Sequence, residues 1–181
     1  MHTNILLLDT ATARCSVAIA QDGEIRSSEY LDHQQHASGL TGLIQLCLQK
    51  AHLRIQELSA VCVAAGPGSY TGLRIGVATA KAICFAQNIP LLAVDTLQAL
   101  AAAMRQAEPQ ALYLPTIDAR REDAYCALYD AQLQALLPID CRTLTQADFL
   151  APFATHRIAT AGNAYQKLPS LSNLQTLPQI E

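Results

Sequence analysis

The chain predicts an α/β fold in two lobes, and three observations carry that reading. Short apolar runs at residues 5–8, 60–65, 90–94 and 112–117 recur between longer stretches whose apolar side chains repeat with helical period. Asp22-Gly23, a pair that favours tight two-residue turns, follows an alternating run near the amino terminus and leads into a further strand. Gly66-Pro67-Gly68-Ser69-Tyr70-Thr71-Gly72-Leu73-Arg74-Ile75-Gly76 stands between an apolar run and a small-residue helix, so a strand enters a glycine turn that opens a helix.

Each element has its own justification. Ile5-Leu6-Leu7-Leu8 reads as a buried strand, and Asp9-Thr10-Ala11-Thr12-Ala13-Arg14 as the polar turn that ends it. Cys15-Ser16-Val17-Ala18-Ile19-Ala20 alternates as a second strand, and the Asp22-Gly23 turn leads into a third at residues 25–31. A helix near residues 37–52 places Leu40, Leu43, Ile44, Cys47 and Ala51 on one stripe. The glycine corner and its helix end at Asn88, and Pro90-Leu91-Leu92-Ala93-Val94 is the next strand. Asp95 caps a helix through Met104, with Gln98 completing a capping box. The composition breaks at Gln106-Ala107-Glu108-Pro109, dividing a first lobe, residues 1–106, from a smaller one, residues 107–181. There residues 112–117 form a strand, Asp118 to Asp123 a charged turn and residues 124–129 the returning strand. Beyond them the pattern thins among Pro138, Pro152, Pro169 and Pro178.

The glycine corner has the layout in which free N–H groups and a helix dipole hold an anion. Its spacing fits neither phosphate fingerprint. In Gly-x-x-x-x-Gly-Lys counted from Gly66, Thr71 stands where the second glycine belongs, and no lysine follows before Lys81. In Gly-x-Gly-x-x-Gly the last glycine is displaced by one, to Gly72. A packed strand-to-helix corner and a phosphate cradle are the two readings. The helix itself repeats Gly68, Gly72, Gly76, Ala80 and Cys84 every four residues, so small side chains line one face and permit close approach. That stripe faces either this chain's own sheet or a partner chain.

Composition narrows the classes. The chain has 181 residues, 51% of them hydrophobic and 15% charged, with a net charge of −3. It carries no lysine–arginine run, which argues against salt-driven nucleic-acid binding by this chain alone. No apolar run approaches a membrane span, and Met1-His2-Thr3-Asn4 lacks the basic start of a signal peptide. The six cysteines form no Cys-x-x-Cys pair, so a reduced, cytoplasmic protein without a zinc site is expected.

The element order, Asp9-Thr10 in the first turn, the stretch Gly66-Pro67-Gly68-Ser69-Tyr70-Thr71-Gly72-Leu73-Arg74, Ala78-Thr79-Ala80-Lys81 on its helix and Ile117-Asp118-Ala119-Arg120-Arg121 together resemble the TsaB (YeaZ) family over nearly all of residues 5–130. The resemblance implies an actin/hexokinase-like (ribonuclease H-like) lobe of mixed sheet flanked by helices, plus a reduced second lobe. It implies a non-catalytic subunit that supports TsaD in threonylcarbamoyl transfer to the adenosine beside the tRNA anticodon, with the TsaE ATPase joining through the complex. Family members usually run on past the point matching Glu181, which marks this chain as a short or truncated member. His36 matches the family's single histidine, and His33 is extra.

Several residues are candidates for chemistry. Asp9, with Thr10 and Thr12, lies where the superfamily places an aspartate near nucleotide phosphates; an aspartate in a turn also caps its own backbone. Gly162-Asn163 is a weak version of the second nucleotide turn. His33 and His36 are three apart with glutamine between, unlike His-Glu-x-x-His, so no metal site is expected. Gly68-Ser69-Tyr70 is not a nucleophile elbow. Asp118, Arg120, Arg121 and Asp123 read as a solvated, ion-paired turn or as an anion contact within a complex. No catalytic residue and no cofactor of its own is expected, with ATP or ADP only at a complex interface. The expected partner surface is Leu40, Leu43, Cys47, Gly72, Arg74, Gly76, Ala80, Lys81 and Cys84, with self-pairing when TsaD is absent. The rival function is a small nucleotide-binding kinase or hydrolase in which Asp9, the glycine corner and Gly162-Asn163 converge.

Overall fold

A computed structural model describes residues 2–32 and 36–180, the side chains of 36–38 excepted. The chain divides into two compact units, residues 1–95 and 96–181. The first holds β1 (Asn4–Asp9), β2 (Cys15–Gln21), β3 (Glu24–Leu31), α1 (His36–Lys50), β4 (Ala60–Ala64), α2 (Tyr70–Gln87) and β5 (Leu91–Val94). The second holds α3 (Thr96–Ala107), β6 (Leu112–Asp118), β7 (Asp123–Tyr129), β8 (Ala135–Thr143), β9 (Ile158–Gly162) and β10 (Leu174–Thr176).

In the first unit the strand order is β3-β2-β1-β4-β5, antiparallel through β3, β2 and β1 and parallel through β1, β4 and β5. Asp22 and Gly23 both take positive φ at the hairpin, as the tight two-residue turn requires. Alternation sets the core. Leu6 sits between Ile19 and Val61, and Leu8 between Val17 and Val63, so one face of three strands is a continuous apolar layer. Leu40, Leu43, Ile44 and Cys47 of α1 and Ala80 and Cys84 of α2 close that layer. This is the mixed, helix-flanked sheet expected of an actin/hexokinase-like lobe.

The second sheet runs β10-β9-β6-β7-β8 and repeats the first in order and sense: an antiparallel meander from the central strand on one side, parallel strands on the other. Alternate faces feed two cores. Tyr113, Ile117, Ala127 and Ala159 pack with Leu97, Ala101 and Met104 of α3, while Leu114, Cys126, Leu128 and Ile158 pack with Leu144 and Leu150. Two findings correct the sequence reading. The division falls at 95–96 rather than 106–107, because α3 covers one face of the second sheet. And the tail past residue 130 carries three strands, β8 to β10, that the thinning pattern did not announce. The second unit is reduced in a specific way. Where the first has α1 and α2 between its later strands, the second has only 3-10 segments, Ala147–Phe153 and Tyr165–Lys167.

Candidate functional site

Each unit places an aspartate at the end of its first strand, and each carboxylate accepts the backbone N–H two residues on, although Arg120 and Arg121 take positive φ and no residue of the first turn does. Ala11 N–H donates to Asp9 Oδ1 at 2.8 Å, and Arg120 N–H donates to Asp118 Oδ1 at 2.8 Å. Their environments differ. Burial raises the Asp9 carboxyl above its ordinary 3.8, opposed by the Ala11 N–H. A hydrogen bond and ion pair from Lys167 holds Asp118 below that value, with desolvation opposing and the Arg120 N–H assisting.

The glycine corner closes on the first of these turns. Ser69 N–H donates to Ala11 O at 2.6 Å, and Thr10 Oγ1 donates to Gly72 O at 2.8 Å. Arg14 N–H donates to Thr12 Oγ1 at 3.3 Å. A Cβ on Gly68 would overlap Ala11, and one on Gly72 or Gly76 would overlap Thr10, so glycine is what lets α2 lie directly on the turn. Ser69 Oγ accepts the Gly72 N–H at 3.2 Å and caps the helix from within. The corner is therefore a packed strand-to-helix junction.

Gly162 and Asn163 do the corresponding work in the second unit. Gly162 has φ +99° and lies where a Cβ would strike Thr116 O, while Asn163 Oδ1 accepts the Asp118 N–H at 2.7 Å. The expected cofactor contacts Asp9, Thr10, Thr12, Gly162 and Asn163 thus all have structural partners within their own unit.

The expected partner surface needs correction. Leu40, Leu43, Cys47, Gly72, Gly76, Ala80 and Cys84 are buried inside the first unit, because the small-residue stripe faces Thr10 and the sheet rather than solvent. Of the nine residues, Arg74 and Lys81 are exposed. The opposite line of α2 supplies what the sequence reading passed over: Tyr70 is 75% and Phe85 91% exposed. Beside it α1 and α2 bound a groove of about 490 Å³, lined mainly by Ile44, Leu48, Leu53, Ile55, Thr79 and Ile83. The clue in the sequence was the aromatic and basic residues recurring opposite the small stripe.

His33 lies outside the described residues, and so does the side chain of His36. Among the described residues no three His, Cys, Asp or Glu side chains cluster as metal ligands. Nor is any described helix long and apolar enough to cross a membrane.

Residues 30–171 match the family model described as TsaD, tRNA N6-adenosine threonylcarbamoyltransferase. The chain is 32% identical over 125 residues to the tRNA threonylcarbamoyladenosine biosynthesis protein TsaB of Escherichia coli, covering 69% of this chain and 54% of that one. Against TsaB of Bacillus subtilis the identity is 35% over 127 residues, with the same coverage of 69% and 54%. The chain spans about half the length of the curated relatives it matches. A Pseudomonas aeruginosa structure, described as an uncharacterized protein with similarity to peptidase YeaZ, superposes with a TM-score of 0.84 at 25% identity, over 96% of this chain and 84% of that one. The chain belongs to the family of the matching model, and the TsaB (YeaZ) resemblance read from its sequence is borne out by relatives of that name.

Proposed function

We propose that the chain is a TsaB-type scaffold subunit: without catalysis of its own, it supports TsaD in threonylcarbamoyl transfer to the adenosine beside the tRNA anticodon. The observation that supports this reading is the glycine corner, which packs on Thr10 and Ala11, is capped by Ser69 and follows neither phosphate fingerprint. Without the lysine of the Gly-x-x-x-x-Gly-Lys pattern, the corner gives weaker support to a kinase or hydrolase chemistry resting on Asp9. The relatives' names supply the pathway, and the uncovered outer surface of α1 and α2 supplies a place for TsaD to bind. An uncovered apolar groove also favours weak self-pairing when TsaD is absent. The chain acts in the cytoplasm, binds no nucleic acid by itself, and meets ATP or ADP only at a complex interface, through which TsaE joins.

The test is reconstitution. Purified chain added to TsaD, TsaE, tRNA, ATP and a threonylcarbamoyl donor restores tRNA modification, while the chain alone turns over neither ATP nor a peptide. ATP turnover by the isolated chain that disappears in Asp9→Ala would establish the kinase or hydrolase reading instead.

A further inference from the structure

The turn between β6 and β7 carries a charged stretch that the scaffold role leaves unused. Of the twelve lysines and arginines in the chain, Arg120 and Arg121 are the only two adjacent in sequence. Both are exposed, and both take positive φ, +76° and +49°. Residues with side chains rarely take two left-handed conformations in succession, a backbone that Asn-Gly supplies with little strain. The turn is held in that form from beneath. Lys167 Nζ donates to Asp118 Oδ1 and, at 2.8 Å, to Asp123 O. Thr143 Oγ1 donates to Asp123 Oδ1 at 2.7 Å, and Thr145 Oγ1 to Glu122 Oε2 at 3.3 Å. All three acids of the turn are thereby engaged by other side chains. Among the described residues neither guanidinium makes an ion pair, and the charge of Arg120 is the weakest of the influences on Asp118.

Building on the scaffold reading, we propose that Arg120 and Arg121 contact the phosphodiester backbone of tRNA when the chain works in its complex. A protein partner fits this turn less well. No large apolar side chain stands exposed between residues 118 and 123. A protein interface is built around an apolar centre, whereas a phosphate contact needs only donors. The guanidinium fork matches two phosphate oxygens, and each such contact releases counterions from the nucleic acid. Two contacts on a chain of net charge −3 give little binding alone, so they add to what the rest of the complex supplies. Asparagine or glycine would relax the backbone here but would remove the guanidiniums, which is a reason for the strain to persist.

The test gives the turn the residues its backbone prefers, Arg120→Asn together with Arg121→Gly, beside the single variants Arg120→Gln and Arg121→Gln. The tRNA affinity of the complex with TsaD and TsaE of the same organism is measured from low to high salt. Affinities for TsaD and for ATP are measured on the same proteins. The double variant is expected to melt at or above the unmodified chain, because strain is relieved. Its complex binds tRNA about ten-fold more weakly at low salt, and the slope of log affinity against log salt flattens by about two. Each glutamine variant flattens that slope by about one, and TsaD and ATP affinities stay unchanged. A tRNA affinity and slope that ignore the double variant overturn this inference. So does a fall in TsaD or ATP affinity, which would give the arginines to a carboxylate of TsaD or to a nucleotide. A double variant that melts lower overturns it too, by making the arginines structural. Failure of the unmodified chain to bind TsaD overturns the scaffold reading along with it.

Discussion

Asp9 and Asp118 occupy equivalent places in their sheets and make the same turn hydrogen bond, yet they titrate in opposite directions. The difference lies in what surrounds each carboxylate. Asp9 is withdrawn from water, whereas Asp118 has the Lys167 ammonium against it and stands half in solvent. For Asp9 the raised folded value means that the charged form costs stability. That cost is absent below about 3.8, where folded and unfolded chains are both protonated, grows as pH rises toward the folded value, and is complete above it. Asp9→Asn keeps an acceptor for the Ala11 N–H and removes the charge. It is expected to melt higher than the unmodified chain at pH 7, with the gap closing as pH falls below about 3.8. A gap of constant size from pH 3 to pH 8 would show that the carboxylate's burial is not its source. The Asp118 contribution runs the other way, present above its unfolded value and lost as pH falls through its lowered folded value.

At the scale of the element, α2 is two helices in one. Its small line of Gly72, Gly76, Ala80 and Cys84 lies against the sheet and the Thr10 turn, and its large line from Tyr70 to Phe85 faces outward. The two lines make separable predictions. Gly76→Leu drives a side chain into Thr10, and overpacking of that kind costs roughly 1–3 kcal/mol. Its melting temperature is expected to fall while the folded fraction keeps its affinity for TsaD. Unchanged stability with lost affinity would return the small stripe to the interface. α3 teaches a related lesson. Period alone does not assign its apolar residues Leu97, Ala101 and Met104 to either lobe, and the structure gives them to the second.

Across the whole molecule, the two sheets share one strand order, which runs outward from a central strand that ends in an aspartate. They differ in what joins their later strands, full helices in one and 3-10 segments in the other. The first unit closes its core with its own α1 and α2, and the described side chains of that apolar layer come from residues 6–91. Residues 1–95 expressed alone are therefore expected to melt cooperatively and to retain helical circular dichroism, since a self-contained core is what a domain needs. A fragment without a cooperative transition would show that the unit depends on the rest of the chain.

Much of this was legible in the sequence because it rests on local pattern. A continuous apolar run announced β1, a period-two run announced β2, the Asp22-Gly23 pair announced the hairpin into β3, and the four-residue repeat of small side chains announced a closely packed helix. β8 was obscured by Pro138 inside it, and β9, Ile-Ala-Thr-Ala-Gly, is too short and too small in its side chains to stand out. The choice between core and interface for the small stripe was not local at all. It depends on Thr10, 62 residues from Gly72 along the chain, and periodicity records that a face must be covered without recording what covers it. The sequence by itself determined most of the strands and helices through residue 129 and which face of α2 is close-packed; only the tertiary structure decided that this face lies on Thr10 and its own sheet, which leaves Tyr70 and Phe85 on the opposite line exposed.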